Sequence, residues 1–81
     1  MVRLIEARAR AGHRLSLLFS DGTAGEIDLS DRLFGPIFEP LRDEAFFAQL
    51  SIDEFGAPAW PNGADLAPDA LYERLHASGG T

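Results

Sequence analysis

An alternating segment in the first quarter of the chain constrains the fold most strongly. Through residues 13–19 apolar side chains alternate with the polar Arg14 and Ser16. The apolar members are Leu15, Leu17 and Phe19. A period of two residues is typical of a β-strand with one buried face. Asp21-Gly22 follows at once and is typical of a β-hairpin turn, so the chain must build a sheet with one apolar face.

The length of the hairpin loop follows from keeping that face apolar. A two-residue loop would place Leu17 opposite Glu26, whereas the three-residue loop Ser20–Gly22 places it opposite Gly25. A slip of one residue moves every side chain of a strand to the other face of the sheet. We therefore predict the three-residue loop, with its glycine in the left-handed conformation.

The remaining pattern predicts one α+β domain over residues 1–77 and a disordered tail at 78–81. The expected order is β-β-β-α-β-β-α, a mostly antiparallel sheet with two short helices packed on one side. Ser30 is expected to cap a short turn that Gly35-Pro36 ends, and residues 37–41 are expected to be irregular. The other expected elements are strands at 2–9, 13–19, 51–54 and 57–60, and helices at 44–50 and 68–76.

Size and composition leave the core little margin. The chain has 81 residues, of which 46% are hydrophobic, and ordering each residue costs roughly 1.5 kcal/mol. A homo-oligomer or a partner that covers further apolar surface would therefore help. The sequence contains no cysteine, which excludes disulfides, cysteine-ligated zinc and thiol catalysis.

Charge and hydropathy indicate where the protein works. Its 13 Asp and Glu residues against seven Arg residues give a net charge of −6, which opposes direct binding to nucleic acid. The N-terminus is charged too early for a secretory signal, and no apolar run suits a membrane span, so we expect a cytoplasmic protein. Four arginines cluster near the N-terminus and are expected to be solvated strand and turn positions, with a nucleic-acid patch or an acidic partner as the alternatives. They are Arg3, Arg8, Arg10 and Arg14.

No residue pattern predicts catalysis, a metal or a cofactor. The candidate bases His13 and His76 are both expected at the surface, and neither belongs to a nucleophile or metal motif. The acidic string Asp21, Glu26, Asp28 and Asp31 lacks the spacing of a calcium loop. We therefore expect a protein that is not an enzyme and that uses no cofactor.

The most distinctive segment runs from Trp60 to Pro68. Pro61-Asn62-Gly63 is typical of a turn, and Asp65 can accept hydrogen bonds from amides just before the helix. In one interpretation Trp60 roofs the core and the segment only connects a strand to a helix. In another, partly exposed aromatic residues anchor a partner, and a small-molecule pocket is a third. The predicted partner-binding residues are Trp60, Asn62, Asp65, Leu66 and Tyr72.

Several segments resemble the bacterial family called domain of unknown function 2442. They are Phe19–Gly22, Asp28–Ser30, Phe38–Asp43, Phe47 and above all Trp60–Glu73, and the match covers nearly the whole chain. The resemblance implies a small α+β domain without an established activity and without catalytic residues. Some members carry a helix-turn-helix domain after it, while others stand alone and are often encoded beside another small protein. We expect this chain to be the short form.

The resemblance and the missing chemistry lead to one functional expectation. The chain should be a protein-interaction module, the antitoxin-like or regulatory half of a two-protein system whose partner is encoded adjacently. The alternative is a sensor or regulatory domain that binds a small ligand beside the Trp60 segment. An enzyme would require His13 or His76 to meet a carboxylate and a nucleophile in a cleft.

Overall fold

Three antiparallel strands form the main sheet of the computed structural model, which describes residues 2–79. They are β1 (Leu4–Arg10), β2 (Arg14–Phe19) and β3 (Ala24–Asp28), in the spatial order β1-β2-β3. The first strand begins and ends later than the predicted 2–9, since its ladder with β2 continues to the pair Arg10–Arg14.

The predicted register of the β2–β3 hairpin is confirmed. Leu17 lies opposite Gly25 and Leu15 opposite Ile27. The amide of Phe19 donates to the carbonyl of Thr23 at 2.8 Å, which closes the three-residue loop. Gly22 has φ +90°, the left-handed conformation that the loop requires of it. Leu15, Leu17 and Phe19 of β2 therefore all lie on one face of the sheet, and that face is buried.

The second half of the chain holds several short elements and one longer helix. A single 3₁₀ turn (Glu39–Arg42) precedes α1 (Glu44–Phe47), a separate hairpin of β4 (Ser51–Ile52) and β5 (Pro58–Ala59), and α2 (Pro68–Gly79). The predicted order of strands and helices is confirmed. The strands at 51–54 and 57–60 are shorter than predicted and form their own two-stranded sheet instead of joining the main one.

Two predicted helices need correction. The helix predicted at 44–50 is a single turn, because the amide of Gln49 bonds the carbonyl of Phe46 and tightens the chain out of the α-helix. The last helix continues beyond His76, so Ser78 and Gly79 of the predicted tail belong to α2, while Gly80 and Thr81 lie outside the described residues.

The turn after β3 is capped by a different residue from the one predicted. The Asp28 carboxylate accepts from the amide of Ser30 at 2.8 Å, and the amide of Arg32 donates to the carbonyl of Leu29. Ser30 is therefore the donor in this turn. An aspartate commonly bonds the amide two residues ahead.

One apolar cluster joins the sheet to both helices. Leu15, Leu17 and Phe19 pack in it with Phe47 of α1 and with Leu71 and Leu75 of α2. Both helices therefore lie on the same face of the main sheet, as predicted. The other buried members are Leu4, Ile27, Leu29, Leu33, Leu41, Trp60 and Ala64.

Helix α2 crosses the main sheet at a glycine. A Cβ atom added to Gly25 would lie 2.9 Å from Cδ2 of Leu75, which is too close for an unchanged structure. The missing side chain lets the helix approach β3 at this position. Among residues 2–79, no helix has the length and apolar character needed to cross a membrane.

The outer face of the main sheet is polar. Arg8 lies 3.0 Å from Glu6 and Arg14 lies 3.8 Å from Glu26, both pairs being exposed. Such pairs contribute little to stability. Arg3 and Arg10 are exposed as well, so all four arginines of the N-terminal cluster occupy the solvated strand and turn positions predicted for them.

Candidate functional site

The segment from Trp60 to Ala64 forms a closed turn. The amide of Gly63 donates to the carbonyl of Trp60 at 3.0 Å, and the amide of Trp60 donates to the carbonyl of Ala64 at 2.9 Å. Gly63 has φ +92°, and Asn62 Oδ1 accepts from the Ala64 amide at 3.1 Å. The left-handed residue of this turn is therefore Gly63, and Asn62 has a negative φ.

Trp60 is a core residue, which contradicts its prediction as a contact for a partner. Its side chain is 4% exposed, and it stacks on Phe47 with 5.7 Å between the ring centroids. The indole N–H donates to the carbonyl of Phe47 at 2.8 Å. A buried indole needs such an acceptor, and the interpretation of Trp60 as the roof of the core is therefore correct.

Asn62 and Asp65 are exposed and have separate roles. The side-chain amide of Asn62 donates to the carbonyl of Ile37 at 2.8 Å, which ties the turn to the loop before the 3₁₀ turn. Asp65 pairs through its backbone with Ala59. Within residues 2–79 its carboxylate has no hydrogen-bond partner, so the prediction that it accepts amides before α2 is wrong. The helix begins at Pro68, three residues later.

Tyr72 of α2 contacts the tip of the β2–β3 hairpin. Its hydroxyl donates to Asp21 at 2.5 Å, and its ring packs edge-on against Phe19. This bond lowers the pKa of Asp21 and raises the pKa of Tyr72, because it favours the charged carboxylate and the neutral phenol. His76, one turn along the helix, packs against Tyr72 with the two rings tilted by 50°, and its Nε2 lies 3.3 Å from the hydroxyl of Thr23.

Leu66 lies on a different side of α2. It lines a groove of about 270 Å³ between that helix and the loop that follows β3, which we call the Leu66 groove. Its other lining residues are Leu29, Arg32, Leu33, Phe38, Leu41, Ala67, Ala70, Leu71 and Arg74. Helical geometry of about 100° per residue puts Ala70 and Arg74 almost opposite Tyr72, so the five predicted residues do not form one site.

The groove wall opposite α2 is held by side-chain bonds to the backbone. Arg42 Nε donates to the carbonyl of Leu33 at 2.7 Å, and Asn62 holds the carbonyl of Ile37. Two large apolar side chains in this loop face solvent: Phe34 is 64% exposed and Ile37 is 44% exposed. They stand next in sequence to the lining residues Leu33 and Phe38.

Charge at the groove is opposite to that of the whole chain. Its ten lining residues include Arg32 and Arg74 but neither Asp nor Glu. In the described part of the chain, no carboxylate oxygen lies within 4.0 Å of either guanidinium. Arg74 makes one long contact of 3.5 Å with the carbonyl of Asp28. It also helps to lower the pKa of Asp28, after the larger effect of the hydrogen bonds from Ser30.

The two histidines lie in different environments. His13 has φ +59° and is half-buried, because its Nε2 lies 2.7 Å from the carbonyl of Arg42 and its ring packs edge-on against Phe47. It is therefore more enclosed than predicted, whereas His76 is exposed as predicted. Residues 2–79 contain no cluster of three His, Asp or Glu side chains suited to a metal ion.

Sequence reasoning missed the Leu66 groove, although a signal was present. Ala67, Ala70 and Arg74 recur at i, i+3 and i+7, which places them on one face of a helix. The larger apolar side chains of this helix, Leu71 and Leu75, lie in the core and indicate only its buried face. The small side chains of Ala67 and Ala70 leave the Leu66 groove open beside the guanidinium of Arg74.

Comparison with known proteins gives a family and a fold neighbour. The family model described as "Protein of unknown function (DUF2442)" matches residues 4–77. The chain is similar to a crystal structure of "Putative DNA Binding Protein NE0471" from Nitrosomonas europaea, with 27% identity and a TM-score of 0.84. The alignment covers 99% of this chain and 52% of that one, so the chain spans about half the length of that protein. No curated protein matches the sequence.

Proposed function

The chain belongs to the DUF2442 family of proteins of unknown function, and we propose that it is a non-enzymatic protein-interaction module. Its docking surface is the Leu66 groove together with the exposed Phe34 and Ile37. It acts as the neutralising or regulatory half of a two-protein system, and its partner is the protein encoded next to it.

The observation that carries this proposal is the exposed apolar surface around the groove. Phe34 and Ile37 leave much of their side chains in water, beside a groove with a largely apolar lining. Exposed apolar surface near an open groove commonly marks an interaction site. Removal of that area from water on binding contributes roughly 25 cal/mol per Å². Such burial would also add to the stability of a small domain with a modest core.

Direct contact with nucleic acid is not part of the proposal. The fold neighbour is described as a "Putative DNA Binding Protein", but this chain aligns with only 52% of it. The net charge here is −6, and two of the four N-terminal arginines already face a glutamate. Because neutralisation of phosphates by cations dominates affinity for DNA, we propose that the domain binds protein.

Co-expression with the adjacently encoded protein tests the proposal. We expect the two to co-purify, and we expect Ala70→Arg to abolish the complex because it fills the groove with a charged side chain. Ala24→Arg is the matched control, since Ala24 is also exposed but lies on β3 of the main sheet. Absence of a complex with the wild-type chain, or equal loss with both variants, would contradict the proposal.

A small-ligand sensor is the second candidate function. The groove volume of about 270 Å³ lies just below the usual range of roughly 300–1,000 Å³ for small-molecule sites. A fragment screen by NMR separates the two functions. Compounds that shift the amides of Leu66 and Ala70 at micromolar concentration favour the sensor, whereas shifts only with the partner protein favour the interaction module.

A second copy of the chain could also cover the same apolar surface. Light scattering over a range of protein concentrations measures this directly. Under our proposal the isolated domain stays monomeric and forms a complex only with its partner. A dimer that Ala70→Arg dissociates, and that Ala24→Arg does not, would assign the groove to self-association.

A further inference from the structure

At the Leu66 groove the local charge is opposite in sign to the net charge of the chain. The whole chain carries 13 acidic and seven basic residues, yet the ten residues that line the groove include two arginines and no acid. A larger cavity of about 570 Å³ beside β1 is lined by Asp53, Glu54 and Asp69 with the single cation Arg3. An acidic protein has thus placed a local positive charge at its open apolar groove.

The two guanidinium groups have donors available for an anion. No carboxylate oxygen of the described residues lies within 4.0 Å of Arg32 or Arg74. Arginine presents several donors in a planar fork that matches a carboxylate. Hydrogen bonds between charged partners are roughly twice as strong as neutral ones. The two arginines would therefore bind an anion more strongly than neutral donors at the same positions would.

The rest of the groove suits apolar side chains. Leu29, Leu33, Leu41 and Leu71 are buried beneath it, while Ala67 and Ala70 are exposed and leave room above the helix. A volume of about 270 Å³ accepts a few side chains and is small for a whole cofactor. Because Arg42 and Asn62 hold the opposite wall by bonds to backbone carbonyls, the groove is formed before anything binds.

We propose that the Leu66 groove binds an acidic apolar segment of a partner protein. Leucine- or phenylalanine-type side chains of that segment enter between α2 and the loop after β3, and an aspartate or glutamate beside them bonds Arg32 and Arg74. The inference rests on the proposed protein-binding function and names the chemistry of its partner. Recognition of an amphipathic segment in an apolar groove is a recurring mode of peptide binding.

Selection from a phage-displayed random peptide library against the folded domain tests this directly. The enriched peptides should combine large apolar residues with Asp or Glu. A synthetic copy of the best peptide should lose about tenfold in affinity, or more, with Arg74→Gln and with Arg32→Gln. Arg74→Lys, which keeps the charge, should recover part of the loss.

Control variants decide what the selection means. Arg10→Gln removes an exposed arginine from β1 of the main sheet and should leave peptide affinity unchanged. Replacing the Asp or Glu of the peptide by Asn or Gln should weaken binding to the wild-type domain, and should weaken binding to Arg74→Gln by a smaller factor because only Arg32 remains there. No enrichment, enrichment of basic or uncharged peptides, or an equal effect of Arg10→Gln overturns the inference. Decanoate, a small apolar carboxylate, serves as a competitor. If it displaces the bound peptide at a lower concentration than unlabelled peptide does, the groove prefers a small ligand and the inference is overturned.

The outcomes also separate this inference from the function on which it rests. If the adjacent protein co-purifies and Ala70→Arg abolishes the complex while Arg32→Gln and Arg74→Gln do not, the protein-binding function stands and the acidic segment is wrong. If acidic peptides bind as described but the adjacent protein does not co-purify, the groove chemistry stands and the assignment of the partner is wrong.

Discussion

The main sheet and the region from Leu29 to Ala67 are held together in different ways. In the sheet, the two ladders pair backbone with backbone through neighbouring strands. In the second region, side chains reach across many residues to single backbone carbonyls, as Trp60 does to Phe47 and Arg42 to Leu33. The comparison teaches that a region with short backbone ladders relies on single side chains for its long-range bonds, so that one substitution there can remove a whole connection.

The largest expected effect in the side-chain-held region comes from Trp60→Ala. The substitution leaves a large cavity beside Phe47 and an unpaired carbonyl, and removal of a buried tryptophan costs about 3–5 kcal/mol. Because a small domain has only about 5–15 kcal/mol of stability, we expect partial unfolding at 37 °C. Urea denaturation followed by circular dichroism measures the loss. A loss below that of Leu18→Ala, on the half-buried side of β2, would contradict this account.

Arg42→Ala should have the next largest effect and should be local. The bond from Arg42 Nε to the carbonyl of Leu33 is partly buried, and a hydrogen bond to a charged group contributes about 1.5–3 kcal/mol. Hydrogen exchange should show faster opening of residues 29–42 and unchanged protection in the main sheet. Equal loss of protection in both regions would mean that they open as one unit.

Gly22→Ala tests the sheet side of the comparison. Gly22 has φ +90° and no neighbour that an added Cβ would meet, so the cost comes from the backbone alone. We expect about 1 kcal/mol of destabilisation. Gly22→Asn should cost less, because asparagine tolerates the left-handed region better than alanine does. Thermal unfolding of the two variants gives the difference, and an equal cost would point to another cause.

The smallest expected effect concerns pH and the bond that joins α2 to the hairpin tip. The pKa of Asp21 is lowered from 3.8, so the stability from ionised Asp21 is present above that value and is lost as pH falls through the lowered pKa. The pKa of Tyr72 is raised from 10.0, so its contribution is present below 10.0 and is lost as pH rises through the raised pKa.

Comparison with Tyr72→Phe isolates this bond, because the variant keeps the ring that packs on Phe19. The stability difference between the wild type and the variant should be constant between pH 3.8 and pH 10.0 and should shrink at both ends. Urea midpoints across pH measure it. A difference that does not change with pH would assign the effect of Tyr72 to packing alone.

Local signals were sufficient for the regular part of the fold. The alternation through β2 and the glycine at Gly22 determined the strand pairing, and Pro68 marked the start of α2. Each of these features depends on residues that are neighbours in sequence. The predicted strand order and the single helical face of the sheet followed from them.

The candidate site was harder because its parts meet only in three dimensions. Asn62 bonds the carbonyl of Ile37, 25 residues away, and no local pattern predicts such a bond. The apolar residues of the loop after β3 lie at 29, 33, 34, 37, 38 and 41, which is close to a helical spacing, but the chain forms only one 3₁₀ turn there. Pro36 and Pro40 disfavour a longer helix, so the spacing does not predict the common wall that these residues form. Trp60 is apolar with one donor, a chemistry equally suited to a core and to an interface, and only the carbonyl of Phe47 decides between them.

The enclosed position of Trp60 also determines what optical spectroscopy can report. It is the only tryptophan of the chain, and its indole is surrounded by apolar side chains. The folded protein should therefore emit at a short wavelength, and the emission should shift to the red when the chain unfolds. Ligands that dock on the exterior should leave that emission almost unchanged, so complex formation has to be followed with a label placed on the other molecule.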